Sequence, residues 1–224
     1  MPVLYIANKN YSSWSLVPWV LLRERGVPFE EKLVPFHAAP FTTFSPSGKV
    51  PCLIDGAITV WDSAAIIEYL AESHPELWPA ERAARAFARS VAAEMHSGFM
   101  ALRTVCGMNC GLRVRLRAID AALGNDLARL DAVVAEGRVR FGGPFLAGAA
   151  FSGADAVYAP VAFRLLTYAP PVAVATADYF RRVREVPSMR AWYAAALAET
   201  WRDAGHDAEI LEYGTISEDL RARA

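Results

Sequence analysis

Over the first third of the chain, apolar residues come in short runs bounded by turn formers, and beyond it they recur at helical spacing. Val3-Leu4-Tyr5-Ile6 is a short β-prone run that ends in the polar stretch from Asn8 to Ser13. Apolar positions 16, 17, 20, 21 and 22 then predict a helix reaching Arg25, with Gly26 as its stop. Residues 29–34 read as a second strand, and residues 35–51, with four prolines and a glycine, as irregular chain. Two further runs, 51–54 and 58–61, flank Asp55-Gly56, a strong hairpin signal. A helix over 63–72 closes the unit, with Ile66, Ile67 and Leu70 on one face. The predicted order is β-α-β followed by β-β-α.

After a linker at 74–79 the strand signals stop, and alanine-rich helices are predicted over 82–102, 116–136, 152–168, 177–184 and 187–203. Ser152-Gly153-Ala154-Asp155 fits a capping box, with Phe151 placed as a hydrophobic staple. Pro187 suits the first turn of the last of these helices, and Gly205 its end. Strands followed by helices predict an α+β arrangement or two domains, divided as 1–78 and 82–224.

Composition narrows the class. Hydrophobic residues make up 54% and charged residues 21% of 224, which excludes a disordered polymer. No run approaches the roughly 18 apolar residues of a membrane-spanning helix. The opening MPVLYIANKNYSSW lacks the basic and apolar regions of a secretory leader. A net charge of −1 offers no field for nucleic acid. The odd set Cys52, Cys106 and Cys110 gives no disulfide framework. A soluble, cytoplasmic protein without nucleic-acid or membrane partners is expected.

Two predicted helix starts carry the candidate chemistry. Ser12-Ser13-Trp14-Ser15 lies between the first strand and the first helix. Its hydroxyls can cap that helix; equally, a helix N-terminus and a serine O–H together stabilise a bound thiolate. Lowering a thiol's pKa by about two pH units requires roughly 2.7 kcal/mol, within reach of one charge-assisted bond and a helix end. Trp61-Asp62-Ser63 opens the second helix. It too is either a cap or a binding device, with Ser63 for a carboxylate and Asp62 for the ammonium beside it. Gly48-Lys49 lacks the Ser/Thr of a phosphate loop, and Cys106 and Cys110 have no neighbouring ligands for a metal site. Arg113, Arg115 and Arg117 suit a solvated face or a helix start. His96, Met100 and Arg103 share a face of the predicted 82–102 helix, as core, interface or the wall of a pocket between the two halves.

Along almost its whole length, the chain resembles the cytosolic glutathione S-transferases. The resemblance implies a thioredoxin-like N-terminal α/β domain followed by an all-helical C-terminal domain. The Ser12-to-Ser15 run is similar to the serine motif of the zeta and tau classes, implying that Ser12, backed by Ser13, activates the glutathione thiol. Val50-Pro51 matches the family's cis-proline pair beside the cysteinyl part of glutathione, and Asp62-Ser63 the pair that holds its γ-glutamyl end. Lys49 or His37 is left for the glycine carboxylate. Trp14 stands where isomerising zeta enzymes carry cysteine, and Val17 where relatives often carry arginine. The implied activity is attack of glutathione, as co-substrate, on a small apolar electrophile by a homodimer, with no metal. The alternatives are a non-catalytic binding or interaction protein and a glutathione-dependent isomerase. Thiol–disulfide exchange is disfavoured because no cysteine lies at the first helix start.

Overall fold

The computed structural model describes residues 1–222. Strand β1 (Val3–Ile6) leads into helix α1 (Ser13–Arg25), and β2 (Glu30–Leu33) returns parallel to β1. The hairpin of β3 (Cys52–Asp55) and β4 (Ile58–Trp61) joins antiparallel, giving the sheet order β2-β1-β3-β4, and α2 (Ser63–Ala71) follows. The predicted turn residues act as expected. Gly26 takes φ 70 and its N–H reaches back to the carbonyls of Arg23 and Leu22, a left-handed stop that glycine adopts without steric cost.

The second part is helical: α3 (Arg82–Ser97), α4 (Met100–Val105), then, beyond a strand β5 (Leu112–Leu116), α5 (Ala121–Phe141), α6 (Gly153–Tyr168), α7 (Val174–Glu185), α8 (Pro187–Ala198) and α9 (Ala204–Tyr213). A strand β6 (Gly214–Asp219) closes the order by pairing antiparallel with β5. The architecture is therefore a thioredoxin-like sheet unit followed by a helical domain. Helix α6 is its axis: from Gly153 to Arg164 every residue is buried, against α1, α3 and α7. Its capping box is present as predicted, Asp155 accepting from the Ser152 N–H at 2.9 Å. Gly153 lets this end of α6 approach the Trp78 ring, where a Cβ would lie only 2.8 Å away.

Four predicted elements differ, the 116–136 helix first: Leu116 ends β5, Asp120 caps the helix through the Leu123 N–H, and α5 runs from Ala121 to Phe141. The 82–102 helix is two helices, because Phe99 turns to φ 53 and buries its ring, restarting the chain as α4. The Arg113/Arg115/Arg117 run is neither a helix start nor a plain solvated face. Leu112 and Val114 alternate inward as β5, and Arg113 donates to Tyr193 while Arg117 donates to the Glu212 carbonyl. The 187–203 helix stops at Ala198; Gly205 lies inside α9, which Asp203 caps through the His206 N–H.

That break at 199–203 matters for the site. Glu199 leaves the helical path and its carboxylate accepts the N–H groups of Lys9 (2.7 Å) and Asn10 (3.2 Å). Trp192 donates to the Lys9 carbonyl at 2.9 Å. The Lys9 ammonium meets Glu31 at 2.6 Å and lies over the Trp19 and Trp192 rings. The loop that ends in Ser12 is thus fixed from both halves.

Candidate functional site

The two helix starts open onto adjoining spaces between the halves. A cavity of about 390 Å³ is lined by Lys49, Val50, Pro51, Asp62 and Ser63, with Trp14, His96 and Arg103 among its other walls. A second of about 250 Å³ holds Ser12 and Ser13, and shares Trp14, Lys49 and Val50 with the first. A third of about 540 Å³ extends from Ser13 to α4, α6 and α9. All seven residues singled out for thiol and amino-acid recognition therefore line one continuous cleft.

At the second helix start, Asp62 takes φ 75 and caps α2, accepting the Ala64 N–H at 2.8 Å. Both of its carboxylate oxygens also lie 3.0 Å from His96 Nε2. The Ser63 side chain is buried and its hydroxyl has no partner among the described residues. A buried hydroxyl without a partner costs free energy. At a helix N-terminus facing a cavity, it is suited to a carboxylate supplied from outside. Beside it the Val50–Pro51 peptide is cis, and Lys49 is exposed on the shared wall. His37 is not among the lining residues of either the first or the second cavity and its Nε2 lies 3.0 Å from Asp203, whereas Lys49 lines both.

At the first helix start the two serines differ. Ser12 is buried and donates its hydroxyl to Ser15 Oγ at 2.7 Å, and that oxygen also accepts the Ala7 N–H at 3.2 Å. Ser13, the first residue of α1, is half-buried and lines both the second and third cavities. Among the described residues no side chain caps α1; the Ser13 N–H donates to the Tyr11 carbonyl at 2.9 Å, and the positive end of the helix dipole remains to favour an anion. The neighbouring Tyr11 hydroxyl is already committed. It donates to Asp207 and accepts from Arg221, and burial, followed by the nearby acidic charge of Asp207, raises its pKa against the Asp203 N–H that it also accepts.

Sequence reasoning gave Trp14 and Arg164 no place in the cleft walls. Trp14 lies against His96 at 5.0 Å between ring centroids, and the Arg103 guanidinium stands 4.7 Å from the Trp14 ring. His96 and Arg103 share a cavity wall as the spacing allowed, although the break at Phe99 puts them on separate helices. Arg164 reaches the third cavity from the middle of α6, where the apolar periodicity gave no signal. Cys106 and Cys110 are buried free thiols, and burial pushes Cys106 up to about 12.

Two helix termini, one beside the paired serines and one at Asp62-Ser63, thus face the cleft from a thioredoxin-like sheet. Comparison with known proteins gives the family. Residues 11–73 match the glutathione S-transferase N-terminal domain, and residues 113–195 the glutathione S-transferase C-terminal domain. A glutathione S-transferase-like protein of Beauveria bassiana is 27% identical over 202 residues, 86% of this chain and 88% of its own. Maleylacetoacetate isomerase of Rattus norvegicus is 30% identical over 119 residues, 46% of this chain and 51% of its own. A glutathione transferase homologue from Burkholderia, solved with bound glutathione, superposes with a TM-score of 0.66 at 25% identity, covering 87% of this chain and 97% of that one. The chain belongs to the glutathione S-transferase family.

Proposed function

We propose that this protein is a glutathione transferase that binds glutathione in the cleft between its halves and directs the thiolate at an electrophilic carbon. Ser63 and the α2 terminus take the γ-glutamyl carboxylate, Asp62 the ammonium, Val50 the cysteinyl backbone and Lys49 the glycine carboxylate. The thiol sits at the α1 terminus, where Ser13 donates to the sulfur. Ser12 serves that terminus indirectly, tying it through Ser15 to the Ala7 N–H. One observation carries the reading: both helix termini, the cis Val50–Pro51 peptide and the Ser63 hydroxyl, without a partner among the described residues, face one cleft.

The protein's part in the reaction is to keep sulfur deprotonated and close to the carbon it attacks. The thiol proton leaves to solvent, the S–C bond forms, and the leaving group departs with its electron pair. Steady-state turnover of chlorodinitrobenzene tests the assignment. Ser13→Ala should lower kcat/KM about a hundredfold, the scale of losing one donor to a developing or bound anion, with the KM for glutathione nearly unchanged. If Ser13→Ala kept its rate while Ser12→Ala lost it, the donor would be Ser12. If neither substitution changed the rate, thiol activation by this serine pair would be wrong.

A further inference from the structure

The third cavity, about 540 Å³, has Ser13 and two arginines, Arg103 and Arg164, among its walls. Arg164 is 94% buried, since only 6% of it is exposed, in the otherwise apolar run of α6. Its guanidinium donates to the backbone carbonyls of Arg103 and Cys106, which are neutral acceptors. Among the described residues neither Arg164 nor Arg103 forms a salt bridge, whereas other buried cations do: Lys9 has Glu31, and Arg221 has Asp207 and Asp219. Burial lowers the pKa of Arg164 to about 10 and also lowers that of Arg103. Two carboxylates, Glu209 and Glu212, do line this space, but they are exposed on α9 and paired with neither arginine. Being exposed, they are screened by solvent and salt, while the buried Arg164 guanidinium is screened much less.

A buried, unneutralised guanidinium is costly unless an anion meets it. Its remaining N–H donors suit a carboxylate in two-pronged geometry. We infer that the second-substrate cavity selects electrophiles bearing an anionic group, a carboxylate above all, which Arg164 and Arg103 anchor while the reactive carbon lies toward Ser13. Met100 and Met108 line the same space and accommodate the apolar body of such a substrate. This inference rests on the assignment of the α1 terminus to the thiol.

A matched pair of probes tests it: a chloronitrobenzoate and its uncharged methyl ester, each rate divided by that of its uncatalysed reaction with glutathione. In both, sulfur replaces chlorine: the S–C bond forms, the C–Cl bond breaks, chloride carries away the pair, and the thiol proton goes to solvent. The wild type should favour the acid over the ester by about tenfold or more in kcat/KM, the scale of a charge-assisted hydrogen bond, and Arg164→Met should erase that preference. Because Arg164 also holds two carbonyls, Arg103→Met carries the test if Arg164→Met does not fold; it should reduce the preference several-fold. Equal handling of acid and ester by the wild type, or a preference that survives in the folded variants, would overturn the inference. Quenching of tryptophan fluorescence by nitrobenzoate and by its methyl ester, without glutathione, separates this inference from the transferase reading. Saturable binding of the acid alone, lost in the arginine variants, with no turnover of either chlorinated probe, would sustain the anion site and refute conjugation. Equal binding of acid and ester would refute the anion site whatever the turnover.

Discussion

On the proposed reading, Ser63 and Asp62 separate binding from structure at the level of single side chains. The Ser63 hydroxyl has no partner among the described residues, so removing it forfeits no hydrogen bond to them. Ser63→Ala should therefore leave the denaturant midpoint unchanged while weakening glutathione about five- to tenfold by calorimetry, the scale of one hydrogen bond to a charged group. Unchanged affinity would remove Ser63 from the site. Asp62 has two tasks: it caps α2 at a positive φ, and it presents a carboxylate to the cleft. Asparagine retains the capping oxygen and tolerates positive φ, whereas alanine does neither. Asp62→Asn should lose glutathione affinity with little loss of stability, and Asp62→Ala should lose about 1 kcal/mol of stability as well. These two positions were legible in the sequence because strand-to-helix junctions advertise their caps. The difference between Ser12 and Ser13 was not. It depends on Ser15 and on the Ala7 N–H, and so on how the loop closes over the end of β1.

Helix starts and the hairpin could be read locally, since Gly26, Asp55-Gly56, the Ser152 box and Pro187 act on their neighbours in sequence. What escaped depends on distant partners. β5 exists because residues 214–219 lie beside it, about a hundred positions later in the chain. Helix α8 ends where Glu199 is drawn to the N–H groups of Lys9 and Asn10, with no glycine or proline to mark the stop. Burial raises the Glu199 pKa against the pull of those two N–H groups and of Lys9 and Arg202. Its folded pKa thus exceeds its unfolded one, so its contribution to stability is full below the unfolded pKa and declines as pH rises through the folded value. Asp203 has the opposite sign. Burial acts to raise it, but the His206 N–H and ring and His37 outweigh burial and hold it low. Its contribution is present above the unfolded pKa, near 3.9, and is lost as pH falls through the lower folded value. Glu199→Ala should cost about 2–4 kcal/mol in urea unfolding at neutral pH, because it leaves two buried N–H groups unpaired. Glu199→Gln, with one amide oxygen left to accept, should cost less. An alanine variant as stable as the wild type would show that this joint does not hold the Ser12 loop.

Across the whole molecule, one apolar core runs from Leu4 of the sheet through α1 and α6 to Ile210 of α9. The site is built where the halves meet, with Asp62 facing His96 and Trp14 facing Arg103. Sheet unit and helical part should therefore unfold together, with tryptophan fluorescence and far-ultraviolet circular dichroism giving superimposable urea curves. A separate early transition of the sheet unit would contradict the shared core. The account depends most on the open α1 terminus lowering the pKa of a bound thiol. That is measured most directly by the ultraviolet absorbance of glutathione thiolate on the protein between about pH 5 and pH 9, where a free thiol titrates near the upper end. For the wild type and Ser12→Ala we predict a bound-thiol pKa well below that of free glutathione, and for Ser13→Ala a value returned most of the way to it with glutathione still bound. A bound thiol titrating like free glutathione in the wild-type protein would contradict the account.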